Sequence, residues 1–100
     1  MNITIHSLHF DADKKLIDYI ENKVGKLSQV SDDILGADVT LKLENNGERD
    51  NKIAEIKIDI PRVNDLFDKK QTKTFEESIH TATQALRRQI LKSKKKQRGL

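Results

Sequence analysis

The sequence predicts an α+β domain of order β-α-β-β-β-α: one four-stranded mixed sheet with two helices packed on one face. Two segments alternate cleanly. Ala37, Val39, Leu41 and Leu43 are interleaved with Asp38, Thr40, Lys42 and Glu44, and Ala54, Ile56, Ile58 and Ile60 with Glu55, Lys57 and Asp59. Each is a strand with one apolar face. Two further sets, Leu16, Ile17, Ile20, Val24 and Leu27, then Phe75, Ile79, Ala82, Leu86 and Ile90, recur at helical spacing. Elements with a single apolar side bury it most economically in two layers.

Taken in order, Ile3 and Ile5 share one side of a short, half-buried strand over residues 2–8. Asp13 stands where an N-cap belongs, and the helix after it runs from Lys14 to about Ser28. Gly36 opens the second strand. Asn45-Asn46-Gly47 begins a polar loop reaching Asn51, a hairpin connection longer than two residues. Pro61 ends the third strand by removing a ladder donor. A fourth, unusually charged strand covers about 65–72, and its lone aromatic, Phe67, reads as core rather than as a stacking platform. Thr74 and Glu77 form a capping box for the second helix, which ends near Ser93 and leaves 94–100 as a frayed tail. A right-handed crossover makes the first two strands parallel, with hairpins supplying the remaining pairs. Residues 1–96 read as one domain and 97–100 as a short basic tail.

Composition excludes several functions. One hundred residues, 35% apolar and 35% charged, allow one lean core beneath an ionic surface. The chain has no Cys, which removes disulfides, thiolate metal sites and cysteine nucleophiles. No apolar run reaches membrane-spanning length and no signal peptide opens the chain, so a cytoplasmic protein is expected. His6 and His9 lie three apart on or just after a strand, where they do not converge, and His80 lies on the second helix. Asp32-Asp33 and Glu76-Glu77 are adjacent pairs that point in different directions on a helix. No enzymatic chemistry, metal, cofactor, small-molecule substrate or membrane partner is expected.

Charge is distributed unevenly. Up to Glu77 there are twelve Lys or Arg against sixteen Asp or Glu, a balance of −4. Beyond it Arg87, Arg88, Lys92, Lys94, Lys95, Lys96 and Arg98 meet no acid at all, a balance of +7. Cations near a helix C-terminus favour its dipole, but seven without one acid exceed that need and point to a polyanion. Arg88, Lys92 and Lys95 fall at i, i+4 and i+7 on the second helix, and Lys15, Lys23 and Lys26 lie close to one face of the first. Side-by-side helices bring the two stripes towards one surface. Lys69, Lys70 and Lys73 add charge at the fourth strand and the turn after it. With no aromatic pair on the sheet, such a domain reads phosphates and shape, as on folded RNA.

Asn2-Ile-Thr-Ile, the helix from Ala12-Asp-Lys-Lys-Leu-Ile to Lys23-Val-Gly-Lys-Leu, and Ala37-Asp-Val-Thr-Leu-Lys-Leu-Glu resemble the ribosome hibernation promoting factor family. So do Asn51-Lys-Ile-Ala-Glu-Ile-Lys-Ile-Asp-Ile-Pro and Lys69-Lys-Gln-Thr-Lys-Thr-Phe-Glu-Glu-Ser-Ile. The family is also called ribosome-associated inhibitor A or sigma-54 modulation protein. The resemblance runs from Asn2 to about Lys96, and without a second domain it is to the short form. It implies the same fold, and binding to the small ribosomal subunit and its rRNA in the channel that otherwise holds messenger and transfer RNA. It implies inhibition of translation by occlusion of that channel, in stationary phase or under stress.

By position, Lys23 and Lys26 match basic residues late in the family's first helix. Arg88-Gln-Ile-Leu-Lys92 matches its Arg-Gln-Leu-x-Lys run, and Lys94 a further basic position. Ala85 stands where several members carry Lys, and Arg87 is its candidate replacement. The expected rRNA contacts are therefore Lys23, Lys26, Arg87, Arg88, Lys92, Lys94, Lys95 and Lys96, with Lys15, Lys69, Lys70 and Lys73 as additional contacts. A protein-interaction regulator of the sigma-factor type, docking through the outer sheet face or the loop at 45–51, is the rival reading. A general binder of structured RNA is a third.

Overall fold

A computed structural model describes residues 1–44, 47, 49–63 and 66–98, with α2 side chains described as far as Lys94. Seven elements follow one another: β1 (Asn2–Ser7), α1 (Lys14–Gly25), a 3-10 turn (Lys26–Gln29), β2 (Gly36–Leu43), β3 (Lys52–Asp59), β4 (Leu66–Thr72) and α2 (Phe75–Arg98). The four strands form one sheet in the order β1-β2-β3-β4. β1 and β2 are parallel, and the two later pairs are antiparallel. The α+β architecture expected from the sequence is the one observed.

The register places apolar residues on one face. Ala37, Val39 and Leu41 stand opposite Ile58, Ile56 and Ala54, and all six belong to the core. Leu16, Ile20 and Val24 of α1 and Ile79, Ala82, Leu86 and Ile90 of α2 close over them in the same cluster. Both helices thus cover the same side of the sheet. Phe10, just before α1, stacks on Phe75 at the start of α2, with ring centroids 5.0 Å apart.

Local signals act as their chemistry requires. Asp13 accepts the Leu16 N–H at 2.9 Å, capping α1. Thr74 Oγ1 accepts the Glu77 N–H at 3.0 Å. Among the described residues the Glu77 carboxylate makes no return bond, so only half of the expected capping box forms. The end of α1 tightens into the 3-10 turn, where Ser28 Oγ donates to the Gly25 carbonyl. Glu44 N–H donates to Asn51 C=O and closes the longer hairpin; Asn45 and Asn46 lie outside the described residues.

Three expectations are corrected. α2 continues to Arg98 rather than ending near Ser93, because Lys and Arg are good helix formers and no Gly or Pro interrupts them. Phe67 is 51% exposed on the outer face of β4, not core. Leu43, in phase with the core side of β2, is 40% exposed at the strand's end. Ile53, out of phase with the core side of β3, is nonetheless only 4% exposed; it stands opposite Lys42 and Gln71 on the outer face. Long stems such as that of Lys42 can cover an apolar neighbour while their heads stay in water. β4 is described from Leu66, Asp65 lying outside the described residues.

Ser78 carries no signal in the sequence, yet it is completely buried. Its hydroxyl donates to the Lys52 carbonyl at 2.7 Å and meets Thr72 Oγ1 at 2.8 Å, tying α2 to β3 and β4. Ser78→Ala leaves buried groups short of a partner and should cost about 1–3 kcal/mol in urea denaturation. Thr81→Ala, which removes only a bond to a carbonyl of its own helix, should stay within about 0.5 kcal/mol.

Candidate nucleic-acid interface

Because α1 and α2 lie together on one side of the sheet, a groove of 560 Å³ runs between them. The α1 wall, with the 3-10 turn, supplies Lys23, Lys26, Leu27, Gln29 and Val30; α2 supplies His80, Thr83, Gln84, Arg87 and Leu91. Three of the sequence-predicted cations, Lys23, Lys26 and Arg87, therefore line one concavity. The Lys23 ammonium sits 5.7 Å from the centroid of the Tyr19 ring, a cation–π contact on its own helix.

The other predicted residues are placed differently. Arg88 and Lys92 are exposed but do not line the groove. At 100° per residue they lie on the side of α2 turned away from Ile79, Leu86 and Ile90. Lys94 Nζ donates to the Val30 carbonyl at 2.8 Å, joining the distal part of α2 to the residue that follows the 3-10 turn. Lys15 is exposed nearer the start of α1 and is not a groove residue. The side chains of Lys95 and Lys96 lie outside the described residues.

On the sheet the cations are neutralised locally. Glu55 accepts from Lys42 at 2.8 Å and lies 3.9 Å from Lys69. Lys70 pairs with Asp68 at 2.7 Å. Lys73 is exposed in the turn before α2. Among the described residues no carboxylate pairs with Lys23, Lys26, Arg87, Arg88 or Lys92, so the helical layer carries the uncompensated field. The carboxylates of the sheet pairs are partly buried, and each pair cancels charge that would otherwise attract a polyanion.

His80, Gln84 and Gln29 escape a reading of the sequence as site residues, since an isolated His and two amides carry no charge signal. The i, i+4, i+7 spacing of His80, Gln84 and Arg87 is the available clue.

Charge reversal of Arg88 and Lys92 should leave the folding free energy within about 0.5 kcal/mol of wild type, because neither side chain enters the core. Lys94→Met should lower stability by about 1 kcal/mol through loss of the bond to Val30. Urea titrations monitored by circular dichroism measure both.

Comparison with known proteins agrees with this architecture. The sequence matches the sigma 54 modulation protein / S30EA ribosomal protein family over residues 3–98. No curated protein sequence matches it. Among solved structures, the N-terminal domain of Thermus thermophilus Protein Y is similar with a TM-score of 0.80 at 25% identity, over 92% of this chain and 98% of that one. A ribosomal subunit interface protein from Coxiella burnetii gives a TM-score of 0.82 over 94% and 98% of the two chains; at 16% identity it speaks for the fold alone. Over nearly its whole length, this chain belongs to the sigma 54 modulation protein / S30EA ribosomal protein family.

Proposed function

We propose that the protein is a non-enzymatic translation inhibitor of the cytoplasm, active in stationary phase or under stress. It lodges on the small ribosomal subunit in the channel that otherwise holds messenger and transfer RNA. The observation that carries this reading is the contrast between the two layers. Lys23, Lys26, Arg87, Arg88 and Lys92 on the helical layer have no carboxylate partner among the described residues, whereas Lys42, Lys69 and Lys70 on the sheet do. Membership of a family described as ribosomal supports rRNA as the polyanion for that surface.

The mechanism follows from phosphate contact. Lys23, Lys26 and Arg87 along the groove, with Arg88 and Lys92 beside it, neutralise backbone phosphates, arginine through paired donors and lysine as a mobile point charge. Lys94, Lys95 and Lys96 extend the basic run towards the end of α2. Phosphate contacts position a protein and carry little sequence information, which suits a factor that has to occupy a place rather than read a message. The folded body measures 48 × 24 × 17 Å. Once held on those phosphates, it excludes strands that need the same space.

Co-sedimentation with small subunits, large subunits and whole ribosomes across a salt series tests the proposal. Binding is expected with small subunits and whole ribosomes, in competition with transfer RNA. Its log–log salt slope should be about −4 to −5 if roughly six phosphates are neutralised. Replacing Arg88, Lys92 and Lys95 together by Glu should abolish sedimentation without changing the far-ultraviolet circular dichroism. A folded triple variant that sediments normally refutes this assignment of the surface. Salt-insensitive association with polymerase and none with ribosomes favours the sigma-factor reading instead.

A further inference from the structure

A surface that only touches phosphates needs cations on a flat or convex face. The groove between α1 and α2 offers something more. Its volume, 560 Å³, lies within the range of about 300–1,000 Å³ typical of small-ligand sites. Its α2 wall carries His80, Gln84 and Arg87 as one stripe spanning two turns, about 10.5 Å along the axis. All three side chains are exposed.

The chemistry of that stripe is specific. An imidazole ring and a guanidinium are the two planar groups, besides larger aromatics, on which unpaired bases stack in RNA complexes. Between them, Gln84 presents both a donor and an acceptor, which is what the hydrogen-bonding edge of a base requires. Exposed apolar surface from Leu91 adds a patch against which the rim of a ring loses water. On the opposite wall, Lys23 and Lys26 stand three residues apart, at the separation of about 5–6 Å that helical neighbours share.

We infer that this groove holds one unpaired nucleotide of a structured RNA. The base stacks between the His80 ring and the Arg87 guanidinium with its edge on the Gln84 amide, and the flanking phosphates rest on Lys23 and Lys26. The inference rests on reading this surface as RNA-binding and adds which part of the RNA it takes: a bulged or looped-out residue rather than the backbone of a regular duplex.

The test is fluorescence anisotropy with two RNA hairpins of identical stem and loop, one carrying a single-nucleotide bulge in mid-stem. The wild-type protein should prefer the bulged hairpin by about tenfold, the size of one base–side-chain stack. His80→Ala and Gln84→Ala, both at exposed positions and checked for folding by circular dichroism, should each move that ratio towards one. Lys92→Glu should weaken binding to both hairpins and leave the ratio in place. Equal affinity of the wild type for the two hairpins, or an undiminished ratio in both alanine variants, overturns the inference. Sedimentation separates it from the ribosomal reading. Binding to small subunits with a ratio of one removes the nucleotide site alone. A tenfold ratio without small-subunit binding supports the site and removes the ribosome as its target.

Discussion

Ala37 faces Ile58, Val39 faces Ile56 and Leu41 faces Ala54 across the β2–β3 ladder, and the apolar stripes of both helices close on these six side chains. Burial of this one sheet face is the chief source of stability available to a domain so short of apolar residues. It also fixes the rest of the architecture. Only one side of the sheet is covered by helices, so the other carries the polar half of β1, β2 and most of β3. The β4 strand departs from this, with Phe67 outward and Asp68 and Lys70 opposite Ile56 and Ala54. Two helices that share one face must also lie next to each other, and the seam between them becomes a concave surface with a wall from each. The groove is a by-product of the core.

The two layers then treat charge in opposite ways. Across the outer sheet face, strand register places Glu55 within reach of both Lys42 and Lys69, and the field there is largely cancelled. On the helical layer Lys14 pairs with Asp18 at the start of α1, but Lys23, Lys26, Arg87, Arg88 and Lys92 have no carboxylate partner among the described residues. In physiological salt, fields between exposed groups fade over about 8 Å, so cancellation has to be local to be effective. The nearest acid to Arg87 along α2 is Glu77, ten residues and about 15 Å back, too far to quench it. The formal net charge of +3 therefore understates what a polyanion meets at the helical layer.

Much of this fold was legible because strands and helices have different periods, two and 3.6, and the sequence keeps to them in β2, β3, α1 and α2. What was not legible depends on where one element stops covering another. Alternation cannot tell Leu41 from Leu43, since the two differ only in whether cover extends above them. Phe67 and Ile53 both lie on the outer face, one at 51% exposure and one at 4%, and only the cross-strand neighbours distinguish them. At the site, the cations could be read as residues but not as an arrangement. Arg87 and Arg88 are adjacent in sequence and point about 100° apart. Which of them enters the groove is settled by how α2 docks, a tertiary fact. Likewise, pairing of Lys69 with Glu55 follows from the β3–β4 register, which no local pattern specifies.

The Lys94–Val30 bond spans 64 residues of sequence to join the two walls near one end of the seam. Added to the core packing that fixes how the helices lie, this bond helps hold the two walls in place before anything occupies the space between them. Association normally loses free energy in ordering loops and side chains. Where the walls are already held apart at a fixed width, that loss is confined to the tips of a few long side chains. The walls need not rearrange on binding, so the speed of association is governed by diffusion and electrostatic attraction rather than by a conformational step.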